Sequence, residues 1–210
     1  MTKSKDIVWV SHAMMAAGMT KSFIHDVYLE NAERAIDTAR RNQEGVPFPA
    51  DRFPKEMFGK YPDKKHKKQP DIFNAGGFWT VSSVFADVLG QFNLGQTSLY
   101  PTKLFQFDRV TLVEGEYFCL NFGETKDAFE SAHSPNARKP YPTQDIWRLP
   151  LDVKHDDIAV NETALEGVDL WIEPRVTRAF FLSSGLVEAL REAKVTRRLG
   201  LSRCRVVSVG

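Results

Sequence analysis

The last forty residues of the chain carry its clearest alternation of apolar and polar positions. Apolar residues alternate over Val168–Glu173, which predicts a strand, and Pro174 ends that strand because proline has no backbone donor. A helix of about three turns is predicted next, with Ser183 or Ser184 as its N-cap. Its apolar face consists of Leu186, Val187, Leu190 and Ala193. A final strand is predicted from the β-branched residues near the chain end, Val206, Val207 and Val209.

Two further helices are predicted upstream. The first spans Glu30–Gln43 and is closed by Gly45, at the usual place of a left-handed cap, and its apolar face holds Ala32, Ala35, Ile36 and Ala39. The second follows Ser82 or Ser83, and its apolar face holds Val84, Phe85, Val88 and Leu89.

Between these two helices, the prolines of segment 46–70 are spaced so that they exclude a long helix or a central strand. A loop of this length is usually functional or mobile.

Other strand candidates lie on either side of these helices: Ile7–Val10, Leu104–Phe107, Val110–Val113, Glu116–Phe122 and Ile146–Leu151. Because strands occur in runs, with helices before and after, the pattern favours an α+β fold. We expect a mostly antiparallel sheet of about five or six strands with helices packed on it. One domain over residues 1–210 is expected, with an N-terminal strand, helix and proline-rich segment (1–69) and a core (70–210). No internal repeat is apparent.

Composition narrows the function classes. The 210 residues include 28 basic and 27 acidic side chains, a net charge of +1, so no overall field attracts nucleic acid or a membrane surface. Cys119 and Cys204 lie in apolar runs, which predicts buried thiols in a reducing compartment. The N-terminus has no signal-peptide pattern, and no apolar run is long enough to span a bilayer. We therefore expect a cytoplasmic protein.

Two local clusters of charge are candidates for partner binding. The basic cluster is Lys64, Lys65, Lys67 and Lys68, around His66. The acidic cluster is Asp156, Asp157 and Glu162. Each is most simply a solvated surface, and each could instead contact an oppositely charged partner. The acidic cluster lacks the ligand alternation and the glycine of a calcium loop.

No catalytic constellation stands out. Ser131 lies two residues before His133, but a nucleophilic serine also needs an orienting acid and an oxyanion hole, and the chain has no strained serine elbow. None of the five histidines has a partner at a recognised metal spacing. We therefore predict no catalytic residues, cofactor or metal. A small hydrolase using His133 or the acidic cluster, or a ligand-sensing module, is the alternative.

Several segments together resemble a bacterial family. The segments are D-L-W-I-E-P-R from Asp169, F-F-L-S-S-G-L-V-E-A-L-R-E-A from Phe180 and C-R-V-V from Cys204, with weaker likeness at 70–73, 81–89, 100–101 and 117–122. This order is similar to the eleventh immunity-protein family of polymorphic toxin systems, formerly a domain of unknown function. The likeness covers about residues 70–209. It implies a small intracellular protein that binds a toxin encoded beside it and neutralises it by stoichiometric occlusion.

Overall fold

A computed structural model describes residues 7–208. The N-terminal segment on which the signal-peptide prediction depends, and Val209 of the predicted last strand, lie outside these residues. The described chain forms four α-helices: α1 Asp26–Glu30, α2 Ala32–Asn42, α3 Ser83–Leu89 and α4 Ser184–Glu192. Its strands are β1 Val8–Ser11, β2 Thr20–Lys21, β3 Phe23–His25, β4 Glu56–Gly59, β5 Ile72–Ala75, β6 Phe78–Ser82, β7 Ser98–Phe105, β8 Tyr117–Asn121, β9 Trp147–Arg148, β10 Ala159–Asn161, β11 Leu170–Trp171, β12 Val176–Thr177, β13 Phe180–Ser183 and β14 Leu201–Val207. Within residues 7–208, no helix is both long and apolar enough to cross a bilayer.

The strands form two main sheets and a small parallel pair of β9 and β12. One sheet has five strands in the order β10-β14-β1-β13-β11, and the other has seven in the order β2-β5-β6-β8-β7-β4-β3. Both sheets are mixed, because β10–β14, β2–β5 and β4–β7 pair in parallel. The prediction of one mostly antiparallel sheet was therefore wrong, although helices and strands both occur as expected. Parallel pairing joins strands that are far apart in sequence, and local periodicity does not reveal it.

Helices α3 and α4 join the two sheets. α3 packs against β6 and β8 of the seven-stranded sheet, α4 packs against β13 and β1 of the five-stranded sheet, and the helices pack against each other. A single buried cluster includes Phe85 and Leu89 of α3 with Leu186 and Leu190 of α4, and it also takes in residues from both sheets. Burying one such side chain contributes roughly 1.5–3 kcal/mol, so this layer is a major source of stability.

The opposite face of each sheet is covered by chain that connects its strands, and over the seven-stranded sheet this cover includes Val27 of α1 and Ala39 of α2. Alternation along β13 places Phe180 in the helix layer and Phe181 in a second cluster, where it stacks on Trp171 under the segment that carries Phe129. The seven-stranded sheet has its own outer cluster, which includes Phe23, Phe53, Met57, Phe73 and Phe78. Long connections therefore lie on the outside of both sheets, where their polar side chains are available for binding.

The helix layer contains the same local unit twice, which the sequence reading missed. In the first copy, Asp71 precedes β5, and its Oδ1 accepts a hydrogen bond from Oγ of Ser82 (2.8 Å), the N-cap of α3. In the second, Asp169 precedes β11 and accepts from Ser183 (2.5 Å), the N-cap of α4. Each serine also accepts from the backbone of its helix. The Asp–Ser separations differ, 11 and 14 residues, because the turns differ in length, and this difference hid the repeat.

The predicted helices are present, but two residues assigned to their apolar faces are exposed to solvent. Ile36 of α2 is 59% exposed and Val84 of α3 is 49% exposed. α2 instead turns Asn42 inward, where its side chain donates to the carbonyl of Leu120 and accepts from the amide of Phe122.

The predicted exclusion of a central strand from segment 46–70 was also wrong. β4 occupies the stretch between two prolines and pairs with β3 and β7.

Side chains in and around D-L-W-I-E-P-R hold the loop that follows β8. Glu173 is almost fully buried, and its Oε2 accepts hydrogen bonds from the backbone of Ala128 (2.7 Å) and Phe129 (2.9 Å). Burial raises the pKa of Glu173, which these backbone donors counteract. Arg175 contacts the carboxylate of Asp127 at 2.8 Å. The motif therefore has a structural role in fixing the loop.

Lys126 is the second anchor of this loop. Its ammonium lies 3.8 Å from the centroid of the Trp171 ring and donates to the carbonyls of Ala164 (3.1 Å), Glu166 (2.5 Å) and Val168 (2.9 Å). Burial lowers the pKa of Lys126 to about 8, so the group is still charged at neutral pH. All three donors of the ammonium are thus used within the protein.

We expect the Asp71–Ser82 bond to be measurable by a double-mutant cycle. Ser82→Ala should lower the free energy of unfolding by about 1 kcal/mol because α3 loses its cap. Asp71→Ala should cost a similar amount, and the double variant less than the sum, since both changes remove one bond. Urea unfolding measures all three, with Ser131→Ala as the control. Strict additivity would show that the two side chains act independently.

Lys126→Met should destabilise the protein by about 2 kcal/mol, because three carbonyls lose a charged donor. The matched control is Lys103→Met, since Lys103 is an exposed lysine on β7. Urea unfolding at neutral pH compares the two variants. Equal stabilities would contradict a structural role for the Lys126 ammonium.

Candidate functional site: a basic loop beside an apolar hairpin tip

The basic cluster predicted from sequence lies in a loop that is fixed by its central histidine. His66 is 6% exposed, and its ring packs on Phe23 with centroids 4.2 Å apart. Gln106 binds the loop backbone on both sides, accepting from the amide of His66 (2.8 Å) and donating to its carbonyl (2.6 Å). The four lysines around His66 are exposed: Lys64, Lys65, Lys67 and Lys68. Their charges are therefore held at the surface by a rigid backbone.

Distant residues extend this positive surface. Lys68 and the pair Arg197 and Arg198, which follow α4, line an open groove of about 340 Å³. Burial lowers the pKa of Lys21, and the charges of Arg198 and Lys64 lower it further, which shows that these cations are neighbours. None of the cations named in this paragraph forms an ion pair with a carboxylate within residues 7–208. The sequence showed only the lysine run, because the other residues join it through folding.

An exposed apolar hairpin tip lies beside the basic loop. Phe107 is 49% exposed, Val110 79% and Leu112 61%. The tip is ordered by Asp108, whose Oδ1 accepts from the amide of Val110 (3.0 Å) and from that of Thr111 (2.9 Å). The predicted strand over Val110–Val113 is absent, and only Leu112 forms a bridge, with Phe105.

Gly59 at the end of β4 lies where the hairpin tip and the basic loop meet. A Cβ at this position would lie 3.0 Å from the amide nitrogen of Phe107 and 3.1 Å from the ring of His66. The two segments therefore approach the same strand end so closely that a Cβ at position 59 would require them to shift by a few tenths of an ångström. Together they form one surface, which we call the tip–loop surface: Phe107, Val110 and Leu112 with Lys64, Lys65, Lys67 and Lys68.

The acidic candidates make contacts within the chain. Asp156 forms an ion pair with Arg203 at 2.6 Å, and hydrogen bonding to Arg203 lowers the pKa of Asp156. Asp157 accepts from the side chain of Asn136 and the amide of Lys154, both at 2.8 Å. Glu162 accepts from Ser208 (2.6 Å). The charge of Asp156 is therefore balanced within the chain, whereas the donors to Asp157 and Glu162 are neutral groups that orient the carboxylates.

The structure also shows the positions of the Ser131–His133 pair, of possible metal ligands and of the two cysteines. Ser131 and His133 lie in one short 3-10 turn, and no hydrogen bond joins their side chains there. Within residues 7–208, no three histidine, cysteine, aspartate or glutamate side chains are grouped so that they could hold a metal ion. The prediction that both cysteines are buried free thiols is confirmed, and burial raises the pKa of Cys119 and Cys204.

The fold and the surface define an α+β protein built from two mixed sheets, with a basic and apolar surface at one end of β4. The chain matches no protein-family model, and no curated protein is significantly similar to it. The resemblance to the immunity family therefore stays a prediction.

We expect stability to fall as the pH is lowered from 7 to 5. Burial, followed by Lys64 and Lys21, lowers the pKa of His66, so the unfolded chain takes up a proton first, from about pH 6.5 downward. His66→Phe should reduce this loss, and part should remain because burial also lowers the pKa of His12 and His25. Urea unfolding at several pH values tests this, with the exposed His133→Phe as control. An unchanged pH profile in His66→Phe would exclude the histidine as a contributor.

Proposed function

We propose that this chain is a binding protein that neutralises a toxin by covering part of its surface, and that it does so through the tip–loop surface. The observation that carries this proposal is the pair of hydrogen bonds between Gln106 and His66. They join the base of the apolar hairpin tip to the backbone of the loop that carries the lysines. A preorganised surface loses little conformational entropy when it binds.

The composition of the surface supports a protein partner. Exposed apolar side chains at the centre of a patch, with charged residues at its rim, are typical of protein–protein interfaces. The tip–loop surface combines exposed apolar side chains with exposed lysines, so the partner should present both apolar and acidic side chains. Complementary charge of this kind raises the association rate, which suits a protein that must capture a toxin before it acts. A stable complex would bury on the order of 1,600 Å² in total.

The cellular setting is part of the same proposal. We place the protein in the cytoplasm of the cell that makes the toxin, where buried free thiols stay reduced. The proposed mechanism is stoichiometric and needs no catalytic residue. One chain is expected to block one toxin domain for as long as the complex lasts.

The test is co-expression of this chain with the toxin domain encoded beside it, followed by growth measurement and affinity pull-down. The wild type should restore growth and form a one-to-one complex. The double variant Val110→Glu and Leu112→Glu should weaken binding at least a hundredfold and abolish protection, because two central apolar contacts become buried charges. The matched control is Ile36→Glu, since Ile36 is exposed to a similar extent on α2.

Charge-reversal variants test which of the two charged clusters predicted from the sequence contacts the partner. Lys65→Glu with Lys67→Glu should slow association and reduce its dependence on salt. Glu162→Lys should leave association unchanged. If the Glu162 variant loses protection and the lysine variant retains it, the acidic cluster is the interface and the tip–loop surface is excluded. Rescue of growth without a complex would contradict occlusion altogether.

A further inference from the structure

A row of arginines crosses the small sheet formed by β9 and β12. Arg138 and Arg148 exchange both backbone hydrogen bonds, at 2.9 and 2.8 Å, so they form a directly opposed antiparallel pair. On its other side Arg148 pairs with Thr177 in parallel register. Directly opposed residues in neighbouring strands point to the same face of a sheet. The side chains of Arg138, Arg148 and Thr177 therefore form one row.

This row lines a cavity of about 400 Å³. Lys139 and Arg178 bring the number of cations at its wall to four, and Met15 and Leu149 supply an apolar part. The volume falls in the range of small-molecule sites, which combine apolar walls with a few convergent polar groups. None of these residues belongs to the tip–loop surface. The cavity is thus a separate feature of the molecule.

The protein balances only part of the positive charge in the cavity. Hydrogen bonding to Trp147 lowers the pKa of Asp145, and the charge of Lys139 lowers it further, so Asp145 balances part of the charge of Lys139. Within residues 7–208, none of the four cations is within ion-pair distance of a carboxylate. Arg178 donates to the carbonyl of Met14, and the ammonium of Lys139 lies 5.7 Å from the centroid of the Trp147 ring. Like charges directly opposite each other on a sheet are destabilising. A bound anion would remove this repulsion between Arg138 and Arg148.

The backbone at the cavity wall is also strained. Arg178 has φ of 61°, in the left-handed region that side chains other than glycine rarely adopt. Strain of this kind persists where surrounding contacts impose it, and it is concentrated at ligand-binding sites. Here the hydrogen bond to Met14 holds the guanidinium at the cavity wall.

We propose that this cavity binds a small phosphate monoester with an apolar body. Guanidinium groups bind the oxygens of a phosphate in pairs, and two opposed arginines with two flanking cations suit a dianion better than a single carboxylate. The phosphate group lies between Arg138 and Arg148, and the apolar body lies against Met15 and Leu149. This inference does not depend on the proposed toxin binding.

Phenyl phosphate is the probe, and isothermal titration calorimetry of the full chain is the measurement. We expect saturable one-to-one binding, with inorganic phosphate at least tenfold weaker and phenol showing no binding. Arg138→Ala and Arg148→Ala should each weaken binding at least tenfold. Arg148→Lys keeps the charge but loses the paired donors, so it should weaken binding severalfold.

The matched control changes two cations of the other basic surface, Arg197→Ala with Arg198→Ala, and should bind phenyl phosphate like the wild type. Circular dichroism confirms that each variant is folded, and Arg148→Lys preserves the test if an alanine variant is not. Three results would each overturn the proposal. They are no saturable binding to the wild type, equal loss in the control variant, and full binding by the variants at Arg138 and Arg148.

Discussion

Burial of α3 and α4 against each other, with one sheet behind each helix, is the constraint on which the other features depend. Ser82 ends β6 and caps α3, and Ser183 ends β13 and caps α4. Asp71 and Asp169 accept hydrogen bonds from these serines and hold them in place. One face of each sheet therefore packs against the layer formed by α3 and α4. The connections between strands must then cover the opposite faces, where they meet solvent.

Polar side chains anchor the connections on those outer faces. Glu173 accepts hydrogen bonds from the backbone of the loop over the five-stranded sheet, and Lys126 ties that loop to the carbonyls of residues 164–168. Gln106 binds the backbone of the basic loop beside the seven-stranded sheet. Leaving such groups without partners costs about 1–3 kcal/mol each, so the bonds select one loop conformation. The backbone positions from which the charged side chains of these loops extend are therefore defined by the fold.

The two proposed binding surfaces differ in shape, and for this reason we propose a different class of ligand for each. At the tip–loop surface, the apolar side chains of Val110 and Leu112 are exposed on a hairpin tip beside a loop of exposed lysines, and we propose a protein partner for it. At the second site, Arg138 and Arg148 line a cavity whose volume suits a small molecule. Positive charge alone does not distinguish a surface for a protein partner from a site for a small molecule. The position of the apolar groups beside the charge, on an exposed tip or in a cavity wall, is what differs between the two.

Local features of the chain were readable from the sequence, and long-range pairing was not. The serine caps, the cores of α2 and α4, the buried thiols and the lysine run depend on spacing or on contacts a few residues apart. The mixed sheets, the inward turn of Asn42 and the exposure of Ile36 depend on which elements meet. His66 and Gln106 are 40 residues apart, and Arg138, Arg148 and Thr177 come from three separate segments of the chain. Only folding brings such residues together, because their pairing is set by the packing of the sheets and the helix layer and not by any local pattern.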